Sequence, residues 1–229
     1  MHRLVIVLGI DTATSATAVG LLDTAAPGEG RERRHAPLAG ERPGHGPQLL
    51  ELAHALLSEA GLTFADVDRV AVGLGPGGFT GLRIGVATAR ALAQGAGAQI
   101  TGVSTLRALA MGAEPAPGQG VLAVVDARRG EVFAAGWRAG EQVLGAVAVT
   151  PARAGALAGA GWLAVGDGAL RFRDDLQDAG CEVPADRSPQ HGVSARIVCR
   201  LASQAGRGTE RDLVIPDYLR KPDAVPRKP

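Results

Sequence analysis

Twice in this chain an apolar, strand-forming run closes on an aspartate and turns back into a second extended run. Residues 4–10 carry no charge until Asp11, a polar turn follows at 12–15, and residues 16–22 return. The order recurs at 121–126, which closes on Asp126, with a turn at 127–130 and a return strand at 131–137. Unalternating apolar runs of this length are buried strands, and the repetition points to one structural plan used twice. The Gly- and Pro-rich stretch 112–120, with Pro115 and Pro117, is the natural boundary, which gives halves of 1–112 and 113–229.

Helical patterns separate the strands. Leu49, Leu52, Ala53, Leu56 and Leu57 recur at helical spacing within 48–59, and Gly61 follows as a stop. A short strand at 67–73 leads through a turn at 75–79 into a helix that Thr80 can cap and that runs to about Gln94. A strand at 100–103 and a helix from the Ser104 cap to Met111 complete the first half. In the second half the pattern predicts a weak helix at 152–158, a strand at 162–165, and helices at 172–179 and 194–205. Residues 27–47, with four prolines and many charges, read as loop; 213–219 read as extended and 221–229 as frayed.

Composition narrows the function classes. The chain is 46% hydrophobic but only 3% aromatic, so small residues must let backbones approach closely where large side chains would otherwise fill space. Twenty-four basic residues stand against 23 acidic ones with no long basic run, which excludes the footprint of an independent nucleic-acid binder. Any RNA should be held mainly by a partner. Cys181 and Cys199 lack metal or CxxC spacing and read as buried free thiols of a reducing, cytoplasmic compartment. The run before Asp11 fails as a signal peptide, and nowhere do eighteen apolar residues run together, so no membrane is expected.

Gly73, Gly75 and Gly78 satisfy GxGxxG after a strand and before a helix, but no acid lies about twenty residues on, and no Lys-Ser or Lys-Thr makes a P-loop. The turn is first a tight strand-to-helix connection, whose amides and helix start could receive an anion or carboxylate from elsewhere. Beyond it, Gly81, Gly85 and Ala89 fall four apart on one helix face, a close-packing stripe to be filled either within the domain or by another molecule. Arg83 and Arg90 flank it as solvated charges or interfacial anchors. Asp11 and Asp126, at strand ends, could hold a metal ion or orient a water, although aspartate at a turn is also ordinary backbone chemistry; Asp167 reads as a turn. The five histidines form no HxxxH or HExxH pair, and no Ser-His-Asp set or GxSxG is present, so no catalytic residue and no metal site is assigned. His54 reads as solvated and His45 as interfacial.

Three stretches together carry a resemblance: Gly9-Ile10-Asp11-Thr12-Ala13-Thr14; Val72-Gly73-Leu74-Gly75-Pro76-Gly77-Gly78-Phe79-Thr80-Gly81-Leu82-Arg83-Ile84-Gly85; and Val125-Asp126-Ala127-Arg128-Arg129-Gly130-Glu131-Val132-Phe133. They closely resemble the TsaB family, formerly called YeaZ, and the likeness resumes at Tyr218-Leu219-Arg220. The resemblance implies the actin-like, Hsp70-like and sugar-kinase-like fold of two RNase-H-like halves, in agreement with the repeat. It implies a part in making threonylcarbamoyladenosine on tRNA, in which a paralogue, TsaD, carries the transfer, an ATPase, TsaE, joins the assembly, and TsaB supports TsaD without catalysing the reaction itself. Contact with tRNA would then be indirect.

By the family's pattern the helices beginning near Gln48 and Thr80 form the partner surface, with His45, Leu49, Phe79, Thr80, Gly81, Leu82, Arg83, Gly85 and Ala89 as interface residues. Asp11, Thr12, Pro76, Gly77 and Asp126 would lie nearest any nucleotide. ATP or ADP with magnesium is expected only at a shared interface, since Ala13 replaces the glycine usual in the first phosphate loop of nucleotide-binding relatives. The rival expectation is an autonomous ATPase or phosphotransferase built on Asp11 and Asp126, and a metallopeptidase is a distant third. The small-residue face could also pair two copies of the chain as a homodimer.

Overall fold

In the computed structural model, which describes residues 5–26, 28, 30–38, 41, 43–206 and 208–220, the chain builds two mixed sheets on one plan. The first comprises β1 (Ile6–Asp11), β2 (Thr17–Asp23), β3 (Arg31–His35), β4 (Arg69–Gly73) and β5 (Gln99–Val103), in the order β3-β2-β1-β4-β5. β1, β2 and β3 form an antiparallel meander, and β4 and β5 extend it in parallel. The second comprises β6 (Val121–Arg128), β7 (Glu131–Arg138), β8 (Glu141–Val149) and β9 (Leu163–Val165), in the order β8-β7-β6-β9, again a meander joined by a parallel strand. Where the first sheet has β5, the second has a single parallel bridge, Leu163 to Glu182. The order and directions of these strands agree with the expected pair of RNase-H-like halves.

Parallel neighbours require a crossover, and helices supply it on the outer face of the first sheet. α1 (His45–Glu59) buries Leu49, Ala53, Leu56 and Leu57, and α2 (Phe79–Ala96) buries Val86, Ala89 and Ala93, all in one cluster with Leu8, Ile10 and Val72. Between the two sheets lie α3 (Thr105–Met111) and α7 (Ala195–Gln204). α7 packs on β1 and β2, α3 packs on β6 and β7, and the two helices touch. One hydrophobic cluster therefore runs from Val7 and Ala71 through Leu106, Leu109, Val198 and Cys199 to Val125 and Phe133. α4 (Pro151–Ala158), α5 (Asp167–Arg171) and α6 (Arg173–Asp178) cover the far face of the second sheet around Leu122, Val124 and Leu176. Among the described residues no helix is long and apolar enough to cross a membrane.

Several local expectations change. β3 lies inside the stretch that reads as loop; its sequence, Arg-Glu-Arg-Arg-His, has no apolar alternation, and its pairing with β2 decides the conformation. Charge on such an edge also discourages pairing with another chain. β8 is a second edge strand that composition does not mark, because most of its side chains face solvent. α1 starts at His45, three residues before the apolar pattern does. The cap of α2 is Gly78, with no side-chain bond, so Thr80 is not the cap. Ser104 does cap α3, accepting from the Arg107 amide. The helix read at 172–179 is α6, ended on its N-terminal side by Phe172, where α5 stops. The tail at 221–229 lies outside the described residues.

Candidate functional site: the glycine turn and the face it presents

The site grows from the end of β1. Asp11 is fully buried; its Oδ1 accepts from the Ala13 amide at 2.9 Å and its Oδ2 from the Thr105 hydroxyl at 2.8 Å. The Thr105 hydroxyl in turn accepts from the Gly75 amide at 3.1 Å, and the Thr105 amide donates to the Gly75 carbonyl at 2.8 Å. Asp11 thus ties β1, the glycine turn and the start of α3 together. Burial pushes its carboxyl above the usual carboxylate range, and the bonds from Ala13 and Thr105 oppose that only in part. Thr105 carried no sequence signal beyond its place one residue after a helix cap.

The turn closes over the loop after Asp11. The Gly78 amide donates to the Ala13 carbonyl at 2.7 Å and the Leu74 amide to the Val103 carbonyl at 2.8 Å. Gly75 has φ of 98°, a left-handed conformation that favours glycine. A side chain at Gly73 would overlap the Asp11 carboxylate, and one at Gly77 the Ala13 carbonyl. Of the turn's amides, those of Leu74, Gly75 and Gly78 are therefore spent within the chain. Gly73 closes on Asp11 and Gly77 on Ala13, so the glycine turn and the loop after β1 fill the space between them, and each oxygen of Asp11 already accepts a hydrogen bond.

The small-residue stripe of α2 is filled from inside as well. The Thr12 hydroxyl donates to the Gly81 carbonyl at 2.7 Å, and a side chain at Gly81 or Gly85 would collide with Thr12. Ala89 and Leu82 are buried in the same layer. The stripe does permit close approach, and its occupant is the loop after β1. His45 and Leu49 are buried too: His45 Nδ1 lies 2.9 Å from the Thr17 hydroxyl, and burial pulls its imidazole below the ordinary histidine range. Six of the nine expected interface residues, His45, Leu49, Gly81, Leu82, Gly85 and Ala89, are therefore buried by the chain's own packing.

The other three stand outside. Phe79 and Thr80 open α2 on its exposed side, with Phe79 39% accessible, and Arg83 follows one turn later. The Arg83 guanidinium lies 3.9 Å over the Phe79 ring, its Nε donates to the Tyr218 hydroxyl at 3.2 Å, and the Phe79 and Tyr218 rings stand 5.3 Å apart. The patch is an aromatic pair and a cation held in place by one another, the residue types that dominate protein interfaces. Arg90 is joined to Asp212 on the same side.

Asp126, the counterpart of Asp11 two residues before the end of β6, has different company. Its Oδ2 accepts from Arg128 at 3.1 Å and Arg171 at 2.9 Å, and its Oδ1 from the Arg128 amide at 2.8 Å. Its own amide donates to Asp167 Oδ1 at 3.1 Å, so Asp167 is more than a turn residue. Burial pushes the Asp167 carboxyl up to about 6. Asp11 and Asp126 share no partner among the described residues, nor do three or more His, Cys, Asp or Glu side chains gather there in metal-binding geometry.

Comparison with known proteins meets this geometry. The family model for TsaD, tRNA N6-adenosine threonylcarbamoyltransferase, matches residues 41–165. YeaZ from Pseudomonas aeruginosa has the same fold with a TM-score of 0.75 and 28% identity, over 94% of this chain and all of that one. The chain belongs to the TsaB/YeaZ family. Its TsaB/YeaZ relatives include the tRNA threonylcarbamoyladenosine biosynthesis protein TsaB of Escherichia coli, 35% identical over 136 residues that cover 59% of this chain and 56% of that protein. An uncharacterized protein of Mycobacterium tuberculosis is 36% identical and matches along 96% of this chain and 94% of its own length.

Proposed function

We propose that this TsaB/YeaZ-family chain is a non-catalytic subunit that supports a TsaD-like transferase in making threonylcarbamoyladenosine on tRNA. The observation that carries the reading is the glycine turn: it spends the Leu74, Gly75 and Gly78 amides within the chain, engages each oxygen of the buried Asp11 once, and leads into α2 with Phe79, Thr80 and Arg83 held outward. A catalytic acid or metal ligand needs lone pairs facing substrate, and Asp11 is buried with each oxygen already accepting a hydrogen bond from the chain itself. A docking face needs preorganised aromatic and guanidinium anchors, and α2 offers them. The names of the E. coli relative and of the matching family model supply the pathway.

On this reading a TsaE-like ATPase joins through the assembled complex, tRNA is held mainly by the partner, and any ATP or ADP with magnesium sits at the shared interface. The same exposed face can pair two copies when the partner is absent. The division into 1–112 and 113–229 assigns the docking face to the first half and the Asp126 cluster to the second.

The test is co-purification with the TsaD-like protein. The double variant Phe79→Ala, Arg83→Glu should stay folded and lose the complex, while Gly85→Leu should fail to fold, because Thr12 already fills that space. Retention of the complex by a folded Phe79→Ala, Arg83→Glu chain would refute the interface. Turnover of ATP by the isolated chain, abolished by Asp126→Asn, would instead favour the phosphotransferase reading.

A further inference from the structure

The last described segment, residues 208–220, runs as a strap across features that are far apart in sequence. It starts on the open edge of the first sheet, where the Thr209 amide donates to the Ile100 carbonyl at 2.8 Å. Val214 then plugs into the core of the first half beside Ile100 and Ala93. The Asp217 amide donates to the Leu74 carbonyl, in the glycine turn, at 2.7 Å.

The next three residues reach both halves. Tyr218 stacks on Phe79 and accepts from Arg83, both on α2. Leu219 packs on the cluster that lies between the sheets. Arg220 donates to the Glu131 carboxylate at 2.7 Å and to the Ala127 carbonyl at 2.9 Å, both at the β6–β7 turn of the second half. Beside the α3–α7 layer, these three side chains make a further tie between the halves.

We propose that Tyr218, Leu219 and Arg220 form a clasp that couples the exposed start of α2 to the β6–β7 turn. Whatever engages Phe79 and Arg83 must share them with Tyr218, and a shift of Tyr218 pulls on Arg220 two residues later. The state of one surface is thereby communicated to the other half through one short, extended segment. Coupling of this kind is reciprocal: loosening either end loosens the other. The clasp lies wholly within one chain, so it stands or falls separately from the proposed function.

Hydrogen exchange of the full chain, read by mass spectrometry, tests it without a partner. Arg83→Gln and Tyr218→Ala touch only the α2 end, yet each should speed exchange at residues 127–131 as well as at 217–220, by about two- to fivefold, the scale of losing one part-exposed tie. Glu131→Gln should speed exchange of the Asp217 amide in the reverse direction. Arg90→Gln, which removes the strap's ion pair with α2 at Asp212, should leave 127–131 unchanged. The clasp is overturned if Arg83→Gln and Tyr218→Ala both leave 127–131 at the parent rate, or if Glu131→Gln leaves the Asp217 amide unaffected.

Discussion

The two halves place an aspartate at or near the end of the same strand and treat it in opposite ways. Asp11 is sealed beneath the glycine turn, bonded only to uncharged groups, a backbone amide and a threonine hydroxyl. Asp126 sits nearer the surface between two arginines, with Asp167 holding its amide. Both positions inherit the geometry of a strand end. What differs is the connection that follows the neighbouring parallel strand: after β4 it is a glycine turn that folds over the aspartate, and after β9 it is Gly166-Asp167-Gly168, which opens a five-residue helix. One plan therefore yields a rigid platform in the first half and a charged cluster in the second.

The largest effect should come from breaking the seal. Gly81→Ala drives a methyl group into the Thr12 carbonyl, where only backbone movement can relieve it, and should cost about 3 kcal/mol in urea denaturation. Asp11→Ala leaves the Thr105 hydroxyl and the Ala13 amide without their partner and should cost about 2 kcal/mol by the same assay.

The second half should answer to pH through Asp167. The Asp167 carboxyl is raised to about 6, above its ordinary value of 3.8. Its stabilising contribution is full below the unfolded value and is lost as pH rises through about 6. Between pH 7 and pH 5 this one group should therefore add about 1 kcal/mol of stability, and Asp167→Asn should remove that slope. Urea midpoints at the two pH values measure it. The smallest effect belongs to Arg171→Gln: its side chain is half exposed, so it should change stability by a few tenths of a kcal/mol, with salt weakening the difference.

The same contrast marks what was legible in the sequence. The strand, acid and return strand of each half, the apolar face of α1 and the reach of α2 were readable because burial imposes a period on the residues. β3 and β8 were not, since each is an edge strand whose side chains face water and whose conformation is set by pairing with a neighbour. Gly81, Gly85 and Ala89 announced a close contact, but not whose. That was decided by Thr12, 69 residues away from Gly81, and no local pattern carries such information. Likewise the exposure of Phe79, Thr80 and Arg83 and the burial of Gly81 and Leu82 alternate within one turn and a half of helix, so spacing alone could not divide them.

The central claim is that a sealed glycine turn presents Phe79 and Arg83 to a TsaD-like partner. Calorimetric titration of that partner into this chain tests it most directly. The parent chain and Arg171→Gln should bind alike, and Phe79→Ala, Arg83→Glu should bind at least about 30-fold more weakly, the loss expected for interface anchors, with its melting temperature retained. Equal affinity for the folded double variant and the parent chain would contradict the account.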